Sequence, residues 1–166
     1  MTEDIEGLVT SISMNQVLVA ILEEHGKLVV PTLRFLDANV SNKELQNVGS
    51  DIPGFSDPQK RIIHGLYPSR SLGLIHVVSA YVPNGQSLDS EKFKYKVSWL
   101  EAFNTWVKSS YGKSDHHILT GDFNIAPSDI DCHDPEAWKG NILVSQIERD
   151  LFDAIIDIGF DDSLEF

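Results

Sequence analysis

The chain has 166 residues, 42% of them hydrophobic and 23% charged, with 25 acidic against 13 basic side chains and a net charge of −12. This is the length of one ordinary domain with a real core, which excludes a disordered tail. The single Cys132 excludes an internal disulfide, and the longest apolar run, the six residues Val17 to Leu22, is far short of the ~20 that cross a bilayer. The acidic opening Met1 to Glu6 is unlike a basic targeting leader, so a cytoplasmic location without membrane contact is expected.

In chain order, residues 1–50 are hard to read: Asn15 to Glu24 fits a strand or a short helix, and Lys27 to Phe35 fits a strand with Pro31 at an awkward central place. Arg61 to Leu66 and Leu74 to Tyr81 are Ile- and Val-rich runs separated by a Pro68, Ser69 and Gly73 turn cluster, which predicts two adjacent strands in a hairpin. Asp89 to Lys108 has helical period. Its wheel has one narrow polar arc of Lys94, Ser98, Glu101, Thr105 and Lys108, with Phe93, Val97, Leu100 and Val107 on one side and Tyr95, Trp99, Ala102 and Trp106 on the other. A helix so apolar is buried against more than one neighbour, which suggests a layered α/β body. His117 to Thr120 reads as a strand that ends in Gly121, and Asn124 to Asn141 as a surface loop broken by Pro127 and Pro135. The last helix opens on a capping box from Ser145 to Glu148, carries an apolar stripe of Ile147, Leu151, Ala154, Ile155 and Ile158, and stops at Gly159.

Charge is unevenly spread. Residues 1–50 carry 7 acids and 3 bases, residues 51–113 carry 5 and 8, and residues 114–166 carry 13 and 2. A basic middle beside a carboxylate-rich end suits a protein that touches phosphates with one part and metal with the other. An acidic surface that merely maintains solubility gives the same totals.

Two segments carry candidate chemistry. Ile118 to Ile125 delivers Asp122 and Asn124 at the carboxyl end of a strand, where α/β proteins bind ligands; in extended chain the two side chains point the same way. A carboxylate that orients water and an amide that steadies negative charge are what phosphodiester hydrolysis requires. The same letters also suit a plain strand-to-loop turn. Val77 to Gly85 ends a strand with Tyr81, whose phenol can donate to a phosphate oxygen, and continues into Asn84-Gly85, which also reads as a simple turn. Lys92 and Lys96, i and i+4 at the helix start, predict one positive edge for DNA phosphates; solvated lysines beside a buried face are the plainer reading. His116 and His117 read as surface and edge residues. Asp131, His133 and Asp134 read as a solvated acidic loop rather than a metal motif.

Taken together, Ile52-Pro-Gly-Phe-Ser-Asp-Pro, Tyr81-Val-Pro-Asn-Gly, Glu91 to Leu100, Gly121-Asp-Phe-Asn-Ile-Ala, Ile147-Glu-Arg and Gly159-Phe-Asp-Asp-Ser resemble the exonuclease III branch of the endonuclease/exonuclease/phosphatase superfamily. The resemblance runs from about Ile52 to Leu164, so the chain divides into a segment 1–50 without family match and a central exonuclease III-like portion 51–166. It implies part of a four-layer α/β sandwich, Mg²⁺ (or Mn²⁺) as cofactor, and duplex DNA with abasic sites or 3′ ends as partner. It further implies that Tyr81 contacts the scissile phosphate with Asn84 beside it, that Asp122 orients water and serves as a metal ligand, and that Asn124 holds a phosphate oxygen. The family's opening Trp-Asn strand, its metal-binding Glu and its closing Ser-Asp-His segment are not found, so truncation at both ends, weak activity and self-association through exposed apolar surface are expected. Two alternatives stand beside the nuclease. One is a catalytically dead module binding nucleic acid or protein, favoured by those absences; the other is the superfamily's phosphatase branch, disfavoured by the Tyr-Val-Pro-Asn-Gly motif and the Lys-rich helix start.

Overall fold

The computed structural model describes residues 46–69, 73–110 and 116–162. The elements expected at Asn15 to Glu24 and Lys27 to Phe35 lie outside the described residues. Two compact units form, one from residues 46–51, 59–69, 73–80 and 116–122, the other from 52–58, 81–110 and 123–162.

The first unit is a four-stranded sheet whose spatial order follows the chain: β1 (Gln46–Gly49), β2 (Ile62–Ser69), β3 (Gly73–Tyr81) and β4 (His116–Asp122). The β-branched runs form the expected hairpin, antiparallel from Ile62 opposite Ala80 to Ser69 opposite Gly73. Cross-strand pairs Ile62 with Ala80 and Tyr67 with Ile75 are buried on both members. Pro68 lies near the end of β2, beyond Leu66, which stands opposite Gln46. Among the described residues β1 has four residues, pairs irregularly with β2 and is mostly exposed. His117 is half-buried and its ring lies 5.3 Å from that of His76, which in turn is 5.5 Å from His64, so three imidazoles cross β2, β3 and β4 in a row. His116 and His117 lie on β4, at one end of the strand order, in keeping with edge residues, and the His117 ring adds this packing.

The second unit is built on α1 (Glu91–Ser110) and α3 (Gln146–Ile156), which pack against each other. Ser90 caps α1, its Oγ accepting from Phe93 N–H at 3.0 Å. The polar arc Lys94, Ser98, Glu101, Thr105 and Lys108 is exposed as read, whereas Phe93, Trp99, Leu100, Phe103, Trp106 and Val107 are buried. Two neighbours in this unit account for two sides of the helix. Asn104 donates to Leu151 O of α3 at 2.8 Å, and Tyr95 and Trp99 hold the 52–58 segment through Asp57 at 3.0 and 3.1 Å.

The capping box of α3 is present, with Ser145 N–H and Oγ–H donating to Glu148 Oε2 at 3.1 and 2.5 Å. Its apolar stripe is narrower than expected. Ile147 and Ala154 are exposed, while Leu151, Ile155 and Ile158 are at least half-buried and Glu148 is buried among them. The segment from Asn124 to Asn141 is more structured than a loop: it holds a 3₁₀ turn (Asp129–Asp131) and the short helix α2 (Pro135–Trp138). Pro135 starts that helix instead of breaking it, because the first helical position needs no backbone N–H, and Asp134 caps it by accepting from Ala137 N–H at 3.1 Å. The mixed α/β class follows the expectation.

Candidate functional site

Tyr81 closes β3 with 38% of its surface exposed. The chain then runs through buried Val82 and Pro83 to exposed Asn84, whose Oδ1 accepts from Gln86 N–H at 3.3 Å. Gly85 is not the corner of a hairpin. It has φ of +96°, and a Cβ there would come within 3.2 Å of both Lys96 Cδ and Phe93 Cδ2, so the glycine lets this segment lie down on the first turns of α1. Ser90 Oγ donates to Gly85 O at 2.6 Å and fixes the segment to the helix cap.

On the second motif, Gly121 at φ of +129° approaches the sheet backbone so closely that a Cβ would sit 1.9 Å from Ala80 O. The glycine of Gly-Asp-Phe-Asn is therefore required by contact between β4 and β3. Asp122 is the last residue of β4 and half-buried. Asn124 is left-handed, with φ of 49°. The chain is thus not extended from 122 to 124, and the argument that both side chains project alike does not hold. An Asn tolerates this conformation better than most residues.

Within the helical unit the motifs meet through their amides. Asn84 Nδ2 donates to Asn124 Oδ1 at 3.3 Å, and Asn124 Nδ2 donates to Val82 O at 2.9 Å. Beneath them lies Lys96, whose side chain and that of Glu148 are both 0% exposed and 2.5 Å apart. The Lys96 ammonium also donates to Asn124 O at 2.6 Å and to Asn84 O at 3.3 Å. The expected positive edge of Lys92 and Lys96 is therefore not formed: Lys92 is exposed, but Lys96 is turned inward and neutralised by a buried carboxylate. Arg149, one residue after Glu148, donates through Nε to Ala126 O at 3.2 Å and through Nη2 to Asp129 at 2.8 Å, holding the chain beyond Asn124.

Glu148, Arg149 and Asp57 are the residues that sequence reasoning assigned no role in the site. A signal for the first existed, since Lys96 falls three after Phe93 and four before Leu100, on the apolar side of α1, where a cation needs a buried partner. Asp131 and Asp134 of the acidic loop have local duties. Asp131 Oδ2 accepts from Ser128 N–H and Oγ–H at 2.9 and 2.8 Å, and Asp134 caps α2. Among the described residues no group of three or more His, Cys, Asp or Glu could hold a metal ion, so they do not by themselves fit the expected Mg²⁺ (or Mn²⁺) site. No helix among them is long and apolar enough to cross a membrane.

The sheet with its Gly-Asp-Phe-Asn strand end and the helix-borne Tyr-Val-Pro-Asn-Gly segment define a mixed α/β protein of the exonuclease and AP endonuclease fold. The chain is 31% identical over 114 residues to exodeoxyribonuclease III of Haemophilus influenzae, which covers 64% of this chain and 42% of that protein. In structure it matches the 3′ phosphatase NExo from Neisseria bound to product DNA hairpin (TM-score 0.68, 38% identity, 73% of this chain and 46% of that one). It also matches an AP endonuclease from Archaeoglobus fulgidus (TM-score 0.66, 29% identity, 74% and 46%). These relatives are of the endonuclease/exonuclease/phosphatase superfamily, as the motifs indicated, and the chain spans less than half the length of each. No family model matches the chain.

Proposed function

We propose that the chain carries the phosphate-contacting part of an exodeoxyribonuclease III-like hydrolase, which cleaves DNA phosphodiester bonds as a 3′-5′ exonuclease and abasic-site endonuclease in DNA repair in the cytoplasm. The observation that carries this reading is the bond between the two motif amides, Asn84 and Asn124, with Tyr81 exposed at the start of the same segment. Two segments some forty residues apart in sequence are joined at their functional side chains. A turn that served only to reverse the chain has no need of such a bond.

In this reading the Tyr81 phenol donates to a non-bridging phosphate oxygen. Asn84 and Asn124 present amides to the same phosphate, and their mutual bond keeps them from relaxing as charge builds, which is how fixed dipoles lower a barrier. Asp122 orients the attacking water. Lys92, exposed in the first turn of α1, adds a phosphate contact along the duplex. Mg²⁺ (or Mn²⁺) enters through the resemblance, with Asp122 as its carboxylate among the described residues. The similarity to a protein solved with a DNA hairpin supports duplex DNA as the partner.

Titrating ¹⁵N-labelled protein with a short duplex bearing a free 3′ end tests this. Shifts concentrated at Tyr81, Asn84, Lys92 and Asn124 are expected. Shifts confined elsewhere, or none at millimolar DNA, would overturn the proposal.

A further inference from the structure

We propose that Lys96 is a positioning residue that sets the spacing of the two motif amides, and that its buried pair with Glu148 exists for this purpose; the inference rests on the phosphate-contacting role of Asn84 and Asn124. Three observations converge. The ammonium has three N–H donors and faces three acceptors, Glu148 Oε1, Asn124 O and Asn84 O, at 2.5, 2.6 and 3.3 Å. The two carbonyls belong to the same residues whose side chains meet 3.3 Å apart, so one cation holds both residues by their backbones while their amides touch. The Lys96 stem also lies against Gly85, where a Cβ would be 3.2 Å from Cδ, so the lysine shapes the Asn84-Gly85 end of the segment.

Stability alone gives a poor account of the pair. Desolvating two charges offsets most of their attraction, and well-packed apolar replacements of buried pairs are often neutral or stabilising. A cation aimed at the carbonyls of both motif segments has a further use. It holds Asn124 in its left-handed conformation by gripping the carbonyl that this backbone turn points inward. Glu148 is the counter-charge that lets the cation stay buried, and its other oxygen is fixed by Ser145 through the α3 capping box. The cap of one helix thus anchors a cation on another.

The test compares wild type, Lys96→Met/Glu148→Leu and Lys94→Gln, an exposed lysine change on the same helix. Three quantities are read: urea midpoint, duplex affinity by fluorescence anisotropy, and the side-chain ¹⁵N–¹H₂ resonances of Asn84 and Asn124. The double variant, which also loses the Glu148 side of the α3 capping box, is expected to stay folded with a midpoint lowered no more than in Ser145→Ala, to bind duplex at least about tenfold more weakly, and to show both amide resonances displaced, with Lys94→Gln unchanged in all three. A folded double variant with wild-type affinity and unmoved amides would overturn the proposal. If wild type itself binds no duplex, the nuclease reading fails, and the amide resonances still decide the positioning role. A wild-type measurement needs no variant to fold: the Lys96 ammonium should give a slowly exchanging ¹⁵N signal with coupling across hydrogen bonds to the carbonyl carbons of Asn84 and Asn124. A rapidly exchanging ammonium would refute the arrangement.

Discussion

Lys94 and Lys96 stand two places apart on α1 and meet opposite fates. Lys94 pairs with Glu91 at 2.7 Å on the surface, its side chain 68% exposed, where such a pair is worth at most about 1 kcal/mol. Lys96 is sealed against Glu148. Lys94→Ala should therefore change unfolding free energy by less than about 0.5 kcal/mol. Lys96→Ala, which leaves a buried carboxylate unpaired, should cost about 3 to 5 kcal/mol in the same urea titration. A helical wheel shows which face a residue occupies but not what waits on the facing element; Lys96 looked like half of a positive edge because its partner lies 52 residues away. His64 gives a residue-scale prediction in pH. Burial pushes its pKa below the ordinary 6.5, partly countered by the Asp51 charge, so the folded chain binds its proton less readily than the unfolded chain. This contribution to stability is full above about 6.5 and falls as pH drops toward the lowered value, where protonation favours unfolding. Urea midpoints from pH 7.5 to 5 should decline, with a smaller slope in His64→Gln; an identical slope would exclude this histidine.

At the scale of elements, the hairpin, α1 and α3 were legible because each is declared locally. The β-branched runs flank a turn, the polar arc of α1 is unambiguous, and the capping box marks the start of α3. What was not legible depended on contacts between elements. The 3₁₀ turn and α2 looked like loop because prolines were read as breakers, and Ile147 was placed in a stripe that the neighbours of α3 leave exposed. The site was half legible: its motifs were found, but the left-handed Asn124 that separates it from an extended strand end was not. Asp57 illustrates how one buried group fastens a segment to a helix. Asp57→Ala would strand the Trp99 indole N–H, about 1 to 3 kcal/mol to leave unsatisfied, and remove the carboxylate to which the Tyr95 hydroxyl donates. A drop of about 2 to 5 kcal/mol in unfolding free energy is expected, against about 1 kcal/mol for Ser145→Ala at the α3 cap. Equal effects of the two would contradict the anchoring role of Asp57.

At the scale of the whole molecule, the chain is strongly acidic at −12, yet its proposed partner is a polyanion. Binding must then come from local geometry, with amides, the Tyr81 hydroxyl and Lys92 facing phosphate, instead of from net attraction. The most direct test of the central claim is duplex affinity as a function of salt, measured for wild type, Tyr81→Phe and Lys92→Gln. Affinity should fall with salt, drop in Tyr81→Phe, and show in Lys92→Gln a log–log slope shallower by about one phosphate contact. Salt-insensitive binding, or three proteins with one affinity and one slope, would contradict it.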